Sequence, residues 1–420
     1  MIALFFIGLL ALLLLGMPIA ISLGMSTLLY MLAATPLPLI VIPQRMFTTT
    51  DSFPLMAIPF FVLAGALMES SGISEKLIKF VNTLVGHVTG GLAIVVIITS
   101  AFFAAISGSS AATVSAIGAI LIPAMIRQGY HKNFSAAVQC CSGQLGIIIP
   151  PSIAMVLYGV ATESSIGKLF TAGILPGIFM AAMLCITAYI MCKRRGYKGV
   201  EKATARQRLH AFREAILALL MPAIVLGGIY SGLFTPTEAA GVAVIYSYIV
   251  GKFAYKRLDF KKTVDLLIEA AITTSVIMIL IAFAGAFAWL LGRLRIPAEV
   301  AMWITSIAAN KYIFLFLVNI FLFIVGMFMD AAPALMILAP LLAPIAAQYG
   351  VDLIHFGLIM VVNLAVGLCT PPVGVNIYLS CRIAGTSMEY ILKDVFVFLA
   401  VLIGVVMVIT YVPFLSLALL

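Results

Sequence analysis

Four short segments carry residue types that could do chemistry. Ser107-Gly108-Ser109-Ser110 offers three hydroxyls around a glycine, and Gly326-Met327-Phe328-Met329-Asp330 ends on a carboxylate. Gly146-Ile147-Ile148-Ile149-Pro150-Pro151 and Gly367-Leu368-Cys369-Thr370-Pro371-Pro372 offer a backbone that cannot stay helical. Proline removes a donor and clashes with the preceding turn, so each Pro-Pro pair leaves several carbonyls without helical partners. The N-termini of broken helices carry free N–H groups and partial positive charge, and several of them together would hold an anion. Their C-terminal ends and unwound carbonyls suit a hard, oxygen-preferring cation such as Na+. Ser152, Thr370 and Asn376 flank the breaks, and Gln144 sits just before the first. Each hydroxyl also suits a helix cap. Asp330 is the most informative acid, because an uncompensated charge at mid-membrane depth is costly and usually functional. It equally suits an N-cap before Ala331-Ala332-Pro333.

The elements that must position these residues are membrane helices. Of the 420 residues, 64% are hydrophobic and only 9% charged, with a mean hydropathy of +1.23. Soluble domains carry about 25% charged residues, so soluble enzymes, nucleic-acid binders, disulfide scaffolds and disordered chains are excluded. A span needs about 20 apolar residues, which leaves room for roughly ten. The first run, 2–34, has no positive n-region and reads as a membrane helix rather than a cleaved signal. Further helices are expected at 54–70, after the polar segment 48–52, and at 168–192, 214–231, 237–251, 264–291 and 390–418. Amphipathic stretches lie at 74–87 and 297–309, and 193–213 is strongly polar. The runs 91–126, 133–163, 312–348 and 353–383 are each interrupted in the middle. Thirty-six residues of helix would span about 54 Å, against a hydrocarbon core of about 30 Å. Runs 91–126 and 312–348 therefore read as re-entrant hairpins. Runs 133–163 and 353–383 read as broken helices, which survive at membrane depth only inside protein or beside a water-filled cavity. The six cysteines lack CxxC spacing and read as packing residues, and four scattered histidines offer no transition-metal site. Asn319 and Asn363 read as interhelical glue. Thr235-Pro236-Thr237-Glu238 reads as a capping box, which accounts for Glu238 without a substrate role.

The chain repeats itself. Pro150 and Pro151 match Pro371 and Pro372 at an offset of 221, which also pairs Gly146 with Gly367, Gly129 with Gly350 and Pro123 with Pro344. The same offset lays Ser109 on Asp330, so the hairpin tips are in register. Ala64-Gly65-Ala66 matches Ala284-Gly285-Ala286 at 220. The positive charges fix orientation. With the basic segments 193–213 and 252–262 in the cytoplasm, 19 of the 24 Lys and Arg residues fall inside. The two hairpins then open to opposite sides, which makes the repeats inverted. The expected fold is an all-α polytopic membrane protein of two inverted-topology repeats, each with a re-entrant helical hairpin and a broken membrane helix.

Several segments resemble the large membrane subunit of tripartite ATP-independent periplasmic (TRAP) transporters. SGLFTPTEAAGVAVIYS is similar to that subunit's G-x-FTPTEAA segment. GIIIPPSIAMVLYGVATESSIGKLFTAGILPG resembles its first broken helix and following span, and GMFMDAAPALMILAPLLAPIAAQYGVD and GLCTPPVGVNIYL its second hairpin and broken helix. The resemblance covers essentially the whole chain. It implies a bacterial inner-membrane secondary transporter of the elevator type, driven by a Na+ gradient and carrying a carboxylated organic anion. It also implies a small four-helix membrane subunit, expected here as a separate chain, and a periplasmic protein that delivers substrate. By the same resemblance the tips and broken helices bind both solutes. The Na+ ligands are then expected among Ser107, Gly108, Ser110, Gly146, Ile149, Pro151, Gly326, Asp330, Gly367, Thr370 and Pro372. The substrate is expected against Ser107, Ser109, Gln144, Pro150, Ser152, Thr370, Pro371 and Asn376.

Residues 89–165 and 309–385 are expected to form the moving block. Residues 1–88, 166–308 and 386–420 are expected to form a scaffold. A stand-alone Na+-coupled dicarboxylate or citrate symporter of the related ion-transporter group is the main alternative, and the FTPTEAA segment favours TRAP. An intramembrane enzyme would need a base near the Ser-Gly-Ser tip, and no His or Lys is placed there. A channel would not need two symmetric occluding hairpins.

Overall fold

The computed structural model describes residues 2–420, and regular structure among them is helical throughout. The N-terminal helices are α1 (Ile2–Leu14), α2 (Ile19–Ala34), α3 (Val41–Thr50), α4 (Ala57–Ser70) and the amphipathic α5 (Ile73–Val85). The first hairpin is α6 (Gly91–Ser107) and α7 (Ser110–Arg127). The first interrupted helix comprises α8 (Lys132–Gly143), α9 (Leu145–Ile148) and α10 (Ile153–Thr162). Next come α11 (Ile166–Arg195), α12 (Ala205–Tyr230), α13 (Pro236–Ile249) and α14 (Phe260–Arg293). The second half continues with α15 (Ile296–Ile307), the hairpin α16 (Lys311–Phe328) and α17 (Ala331–Gln348), and the interrupted helix α18 (Leu353–Gly367) and α19 (Val375–Ala384). It ends with α20 (Met388–Tyr411) and α21 (Phe414–Leu417). Among the described residues eight helices are long and apolar enough to cross a membrane, and the first interrupted helix, bent by 41°, makes a ninth.

The 221-residue offset reappears in the backbone. Helix α7 starts at Ser110 and α17 at Ala331, they end at Arg127 and Gln348, and α8 and α18 start at Lys132 and Leu353. The turns between them match as well. Gly129 and Gly350 adopt φ of +84° and +69°, where a side chain would be strained. Tyr130 N donates to Met125 O at 3.1 Å, and Val351 N to Ala346 O at 3.0 Å.

Three expectations change. The run 2–34 is two helices, because Gly16 takes φ +78° and Pro18 cannot continue the ladder. The polar segment 48–52 hides the end of α3. Its three threonines and Pro43 are poor helix formers, and packing against α14 decides, with Arg45 over the Trp289 ring at 5.3 Å. The polar segment 193–213 is mostly helix, since α11 runs to Arg195 and α12 starts at Ala205 on a Thr204–Gln207 capping box.

Helix association inside a membrane relies on close packing and hydrogen bonds rather than on the hydrophobic effect. The interrupted helices interlock accordingly. Helix α8 lies against α7 and α19, α10 against α17, α18 against α16, and α19 against α7. Tyr158 of α10 fills the space over Gly357 of α18 and donates to Leu353 O at 2.8 Å. Asn363 of α18 donates to Asn319 Oδ1 of α16 at 2.7 Å, and Asn319 donates to Thr410 Oγ1 of α20 at 3.0 Å. These two asparagines are interhelical glue, as expected. Helices α4, α13 and α14 pack on one another. Helix α5 packs on both α12 and α6, and is held by Lys79–Glu214 at 2.7 Å and Arg257–Glu75 at 2.8 Å. Helices α11 and α20 lie against both interrupted helices and are joined by the Arg195–Asp394 ion pair.

A cavity ringed by helix N-termini

Each tip and each break ends in a new helix, and local sequence sets where it starts. Ser109 Oγ accepts from Ala112 N at 3.4 Å and caps α7. Asp330 Oδ1 accepts from Ala331 N at 2.8 Å and caps α17. Ser152 Oγ caps α10 from Met155 N at 3.4 Å and donates across the break to Ile147 O at 2.6 Å. Helix α19 starts after Gly374, which takes φ +48°. One orphaned amide at the first break is met by the tip, because Ile153 N donates to Gly108 O at 3.5 Å.

These four N-termini converge on one cavity of about 590 Å3. Ser109–Ala112, Asp330–Ala332, Ile153–Ala154 and Val375–Asn376 bring the starts of α7, α17, α10 and α19 to its wall. The rest of the wall includes Gly65, Ala66 and Glu69 of α4 and Glu269 and Thr273 of α14, with apolar residues such as Ile147 and Leu368 between them. Among the described residues no Lys, Arg or His lines it. Partial positive charge therefore comes from backbone amides alone, while Asp330, Glu69 and Glu269 add three acids.

The expected site residues divide into three groups. Ser107, Gly108, Ser109, Ser110, Asp330 and Asn376 line the cavity together. Ser110 Oγ donates to Asn376 Oδ1 at 2.9 Å, which joins the first tip to the second broken helix. Behind the wall are the close backbone approaches. A Cβ on Gly108 would meet Pro151 O at 2.9 Å, one on Gly146 would run into Ser109 O, and one on Gly326 would meet Gly367 Cα at 3.1 Å. Gly108, Gly146 and Pro151 thus cluster at the first tip, and Gly326 and Gly367 at the second. The others stand apart. Gln144 is fully buried with neither side-chain polar atom partnered, because it ends α8 facing the core. Ile149 packs on Gly177 of α11. Pro150 is buried behind the break, and Ser152 is used up in bridging it. The Thr370 hydroxyl turns back to Val366 O at 2.9 Å. Pro371 and Pro372 are not on the wall either, and Pro372 faces outward.

Sequence reasoning missed Thr113, Glu69 and Glu269. Thr113 is buried, donates to Ser109 O at 2.8 Å and sits 3.2 Å from Ser107 Oγ, so it holds the first tip in shape. Its place one turn past the tip was the available signal. Glu69 reads as interfacial from its position near a span end, and only packing brings it to the cavity with Glu269. The Thr235–Glu238 capping box forms as expected, with Thr235 N donating to Glu238 Oε2 at 2.8 Å.

A helical membrane domain whose hairpin tips and interrupted helices wall one cavity with helix ends has the arrangement of a secondary transporter. The chain matches the family model described as "Tripartite ATP-independent periplasmic transporter, DctM component" over residues 6–415, and it belongs to that family. It is 41% identical to the C4-dicarboxylate TRAP transporter large permease protein DctM of Rhodobacter capsulatus, covering 99% of this chain and 98% of that one. It is 36% identical to the sialic acid TRAP transporter large permease protein SiaM of Vibrio cholerae, covering 92% and 91%. An isethionate TRAP transporter permease protein, DctMQ of Oleidesulfovibrio alaskensis, is 43% identical over 95% of this chain and 63% of its own length. The fold is similar to the crystal structure of the Alcanivorax borkumensis YdaH transporter, with a TM-score of 0.65 at 17% identity, covering 89% and 87%. The chain is a multi-pass large permease subunit of the bacterial inner membrane.

Proposed function

We propose that this subunit takes up a carboxylated organic anion, driven by entry of Na+, through elevator movement of the cavity-bearing block. One observation carries the reading. Four helix N-termini and no basic side chain face a cavity that also holds acids. An anion there is held by backbone amides, and the acids need a cation, so the two solutes compensate each other. The relatives named for C4-dicarboxylate and sialic acid support a carboxylate substrate. They equally support a small membrane subunit and a periplasmic binding protein as partners.

The moving unit follows the packing. The interrupted helices interlock with both hairpins, and separating them would expose unpaired backbone groups at several kcal/mol each. Because α11 and α20 pack on that unit, we include them in it, and α1–α4 with α12–α14 remain as scaffold. Helices α5 and α15 are the connectors. The test is uptake into proteoliposomes with the small subunit and the binding protein, using a panel of organic acids and an inward Na+ gradient. Uptake is expected only with all three proteins and the gradient. Full uptake without a binding protein would move the chain to the stand-alone symporter reading.

A further inference from the structure

Behind Asn376 lies a group of side chains to which the transport reading assigns no role. Cys140 and Cys141 of α8 and Cys369, just past the end of α18, are buried, and their three sulfurs lie within 4.8 Å of one another. Cys369 comes from the other half of the chain, so no spacing motif announces the group. The Cys369 thiol donates to Cys140 O at 3.1 Å. Asn376 Nδ2 donates to the same carbonyl at 3.4 Å and to Cys369 Sγ at 3.5 Å. Asn376 in turn lines the cavity and accepts from Ser110. The sulfurs are thus one contact behind the cavity wall.

We propose that Cys140, Cys141 and Cys369 form a three-sulfur site for a soft d10 divalent cation of the zinc and cadmium type, whose occupation reshapes the cavity wall through Asn376. A metal–thiolate bond of about 2.3 Å places sulfurs sharing one ion roughly 4 Å apart, so a small closure of the trio suffices. Cys369 and one of the two α8 thiols ionise and lose their protons to solvent as the ion enters, and the remaining α8 thiol binds as a neutral ligand through a sulfur lone pair. Two thiolates balance the divalent charge, so no net charge is left in the apolar interior. Sulfur ligands select such ions over hard Na+ and Mg2+, which separates this site from one for the coupling ion. Once bound to the metal, the Cys369 sulfur no longer donates to Cys140 O or accepts from Asn376. Asn376 loses that partner, and the Ser110–Asn376 link at the cavity is disturbed. Uptake falls while the ion is bound.

The test uses the full chain with Cys185, Cys192 and Cys381 replaced by Ala, titrated with cadmium chloride in detergent. The expected result is a thiolate–cadmium charge-transfer band in the ultraviolet that saturates at one ion per chain and is abolished by a chelator. Loss of an outer-layer partner already costs a metal site about 10–100-fold in affinity, so Cys369→Ser and Cys140→Ser should each weaken binding by at least about 10-fold. Thermal unfolding of both variants confirms that they fold. No band, or equal affinity in a folded Cys369→Ser chain, overturns the site. In proteoliposomes, cadmium should inhibit uptake by the parent and spare Cys369→Ser. A saturated band with unchanged uptake overturns the link through Asn376. This second readout rests on the transport reading, whereas the spectral titration does not, so the two can fail separately.

Discussion

At the first hairpin tip Ser107, Gly108 and Ser110 are buried, as are Pro150, Pro151 and Ser152 of the break beside it. At the second tip Phe328 is 58% exposed, Asp330 is exposed, and so are Pro372 and Val373 of the neighbouring break. The hairpin arms keep the 221-residue register, but Gly108 turns the first tip at φ +60° where the matching Met329 is extended at φ -128°, so the tips differ both in their own turn and in what covers them. Helix α4 comes so near the first tip that a Cβ on Gly65 would be 3.3 Å from Ser107 Cα. Gly285, which the repeat pairs with Gly65, faces Thr49 of α3 instead. The duplicated chain therefore builds two similar hairpins, and both the local turns and the scaffold make their tips unlike. In the proposed elevator, moving the block past the scaffold is what exchanges their surroundings.

The largest expected effect comes from stopping that exchange. A cysteine pair joining α6 to α12 should abolish uptake and leave Na+-dependent thermal stabilisation intact. A pair joining the first tip to its own break should be tolerated, because those parts travel together. If the first cross-link leaves uptake unchanged, the elevator has to give way to local movement of the tips.

The close approaches behind the cavity should be nearly as sensitive. Gly146→Ala forces a methyl into Ser109, and Gly367→Ala forces one into Gly326. Overpacking of this kind typically costs 1–3 kcal/mol, and we expect about 2 kcal/mol at each site with most uptake lost. Gly404 of α20 has open space around its Cβ position, so Gly404→Ala should be neutral or slightly stabilising. Thermal unfolding in detergent would rank the three. Equal stability for all three would mean that the tip contacts are loose.

Asp330→Asn tests the chemical difference between the tips. Its carboxylate meets one backbone amide at 2.8 Å, and the amide side chain can still cap α17. We expect the apparent Na+ affinity in a thermal-shift titration to fall at least about ten-fold, which is ~1.4 kcal/mol, with folding kept. Ser109→Ala, at the matching position, should change Na+ affinity less and cost about 1 kcal/mol of cap stability. An unchanged Na+ response in Asp330→Asn would leave that residue a cap only.

The smallest effect concerns another matched pair. Asp352 caps α18 by accepting from Ile354 N at 2.8 Å and His355 N at 3.1 Å, whereas His131 caps α8 through one bond to Asn133 N at 3.3 Å. Asp352→Ala should cost about 1 kcal/mol and His131→Ala a few tenths. A reversed order in thermal unfolding would show that the two caps are not equivalent parts of the repeat.

Much of this was legible in the residues. The Pro-Pro pairs and their glycines locate the breaks within a few residues, because proline acts on its own turn wherever it lies. Helix ends with side-chain signals were equally readable, as at Thr235-Pro236-Thr237-Glu238. Helix α3 was not, since its residues have weak preferences and α14 supplies the packing. Nor were the unpartnered burial of Gln144 and the inward turn of Thr370. A residue's distance from a break is a sequence property, but its direction depends on the helix it packs against.

By itself the sequence determined that the chain lives in a membrane, that it is built twice at an offset of 221 residues, and where each hairpin and break falls. Apolarity, proline stereochemistry and capping are local, so they need no partner to act. Only the tertiary structure decided that four helix N-termini share one cavity without a basic side chain, that Glu69 and Glu269 meet there, and that Cys369 joins Cys140 and Cys141. Each of these joins residues far apart in the chain, and nothing in their local preferences encodes the distance. The packing of the interlocked broken helices sets it.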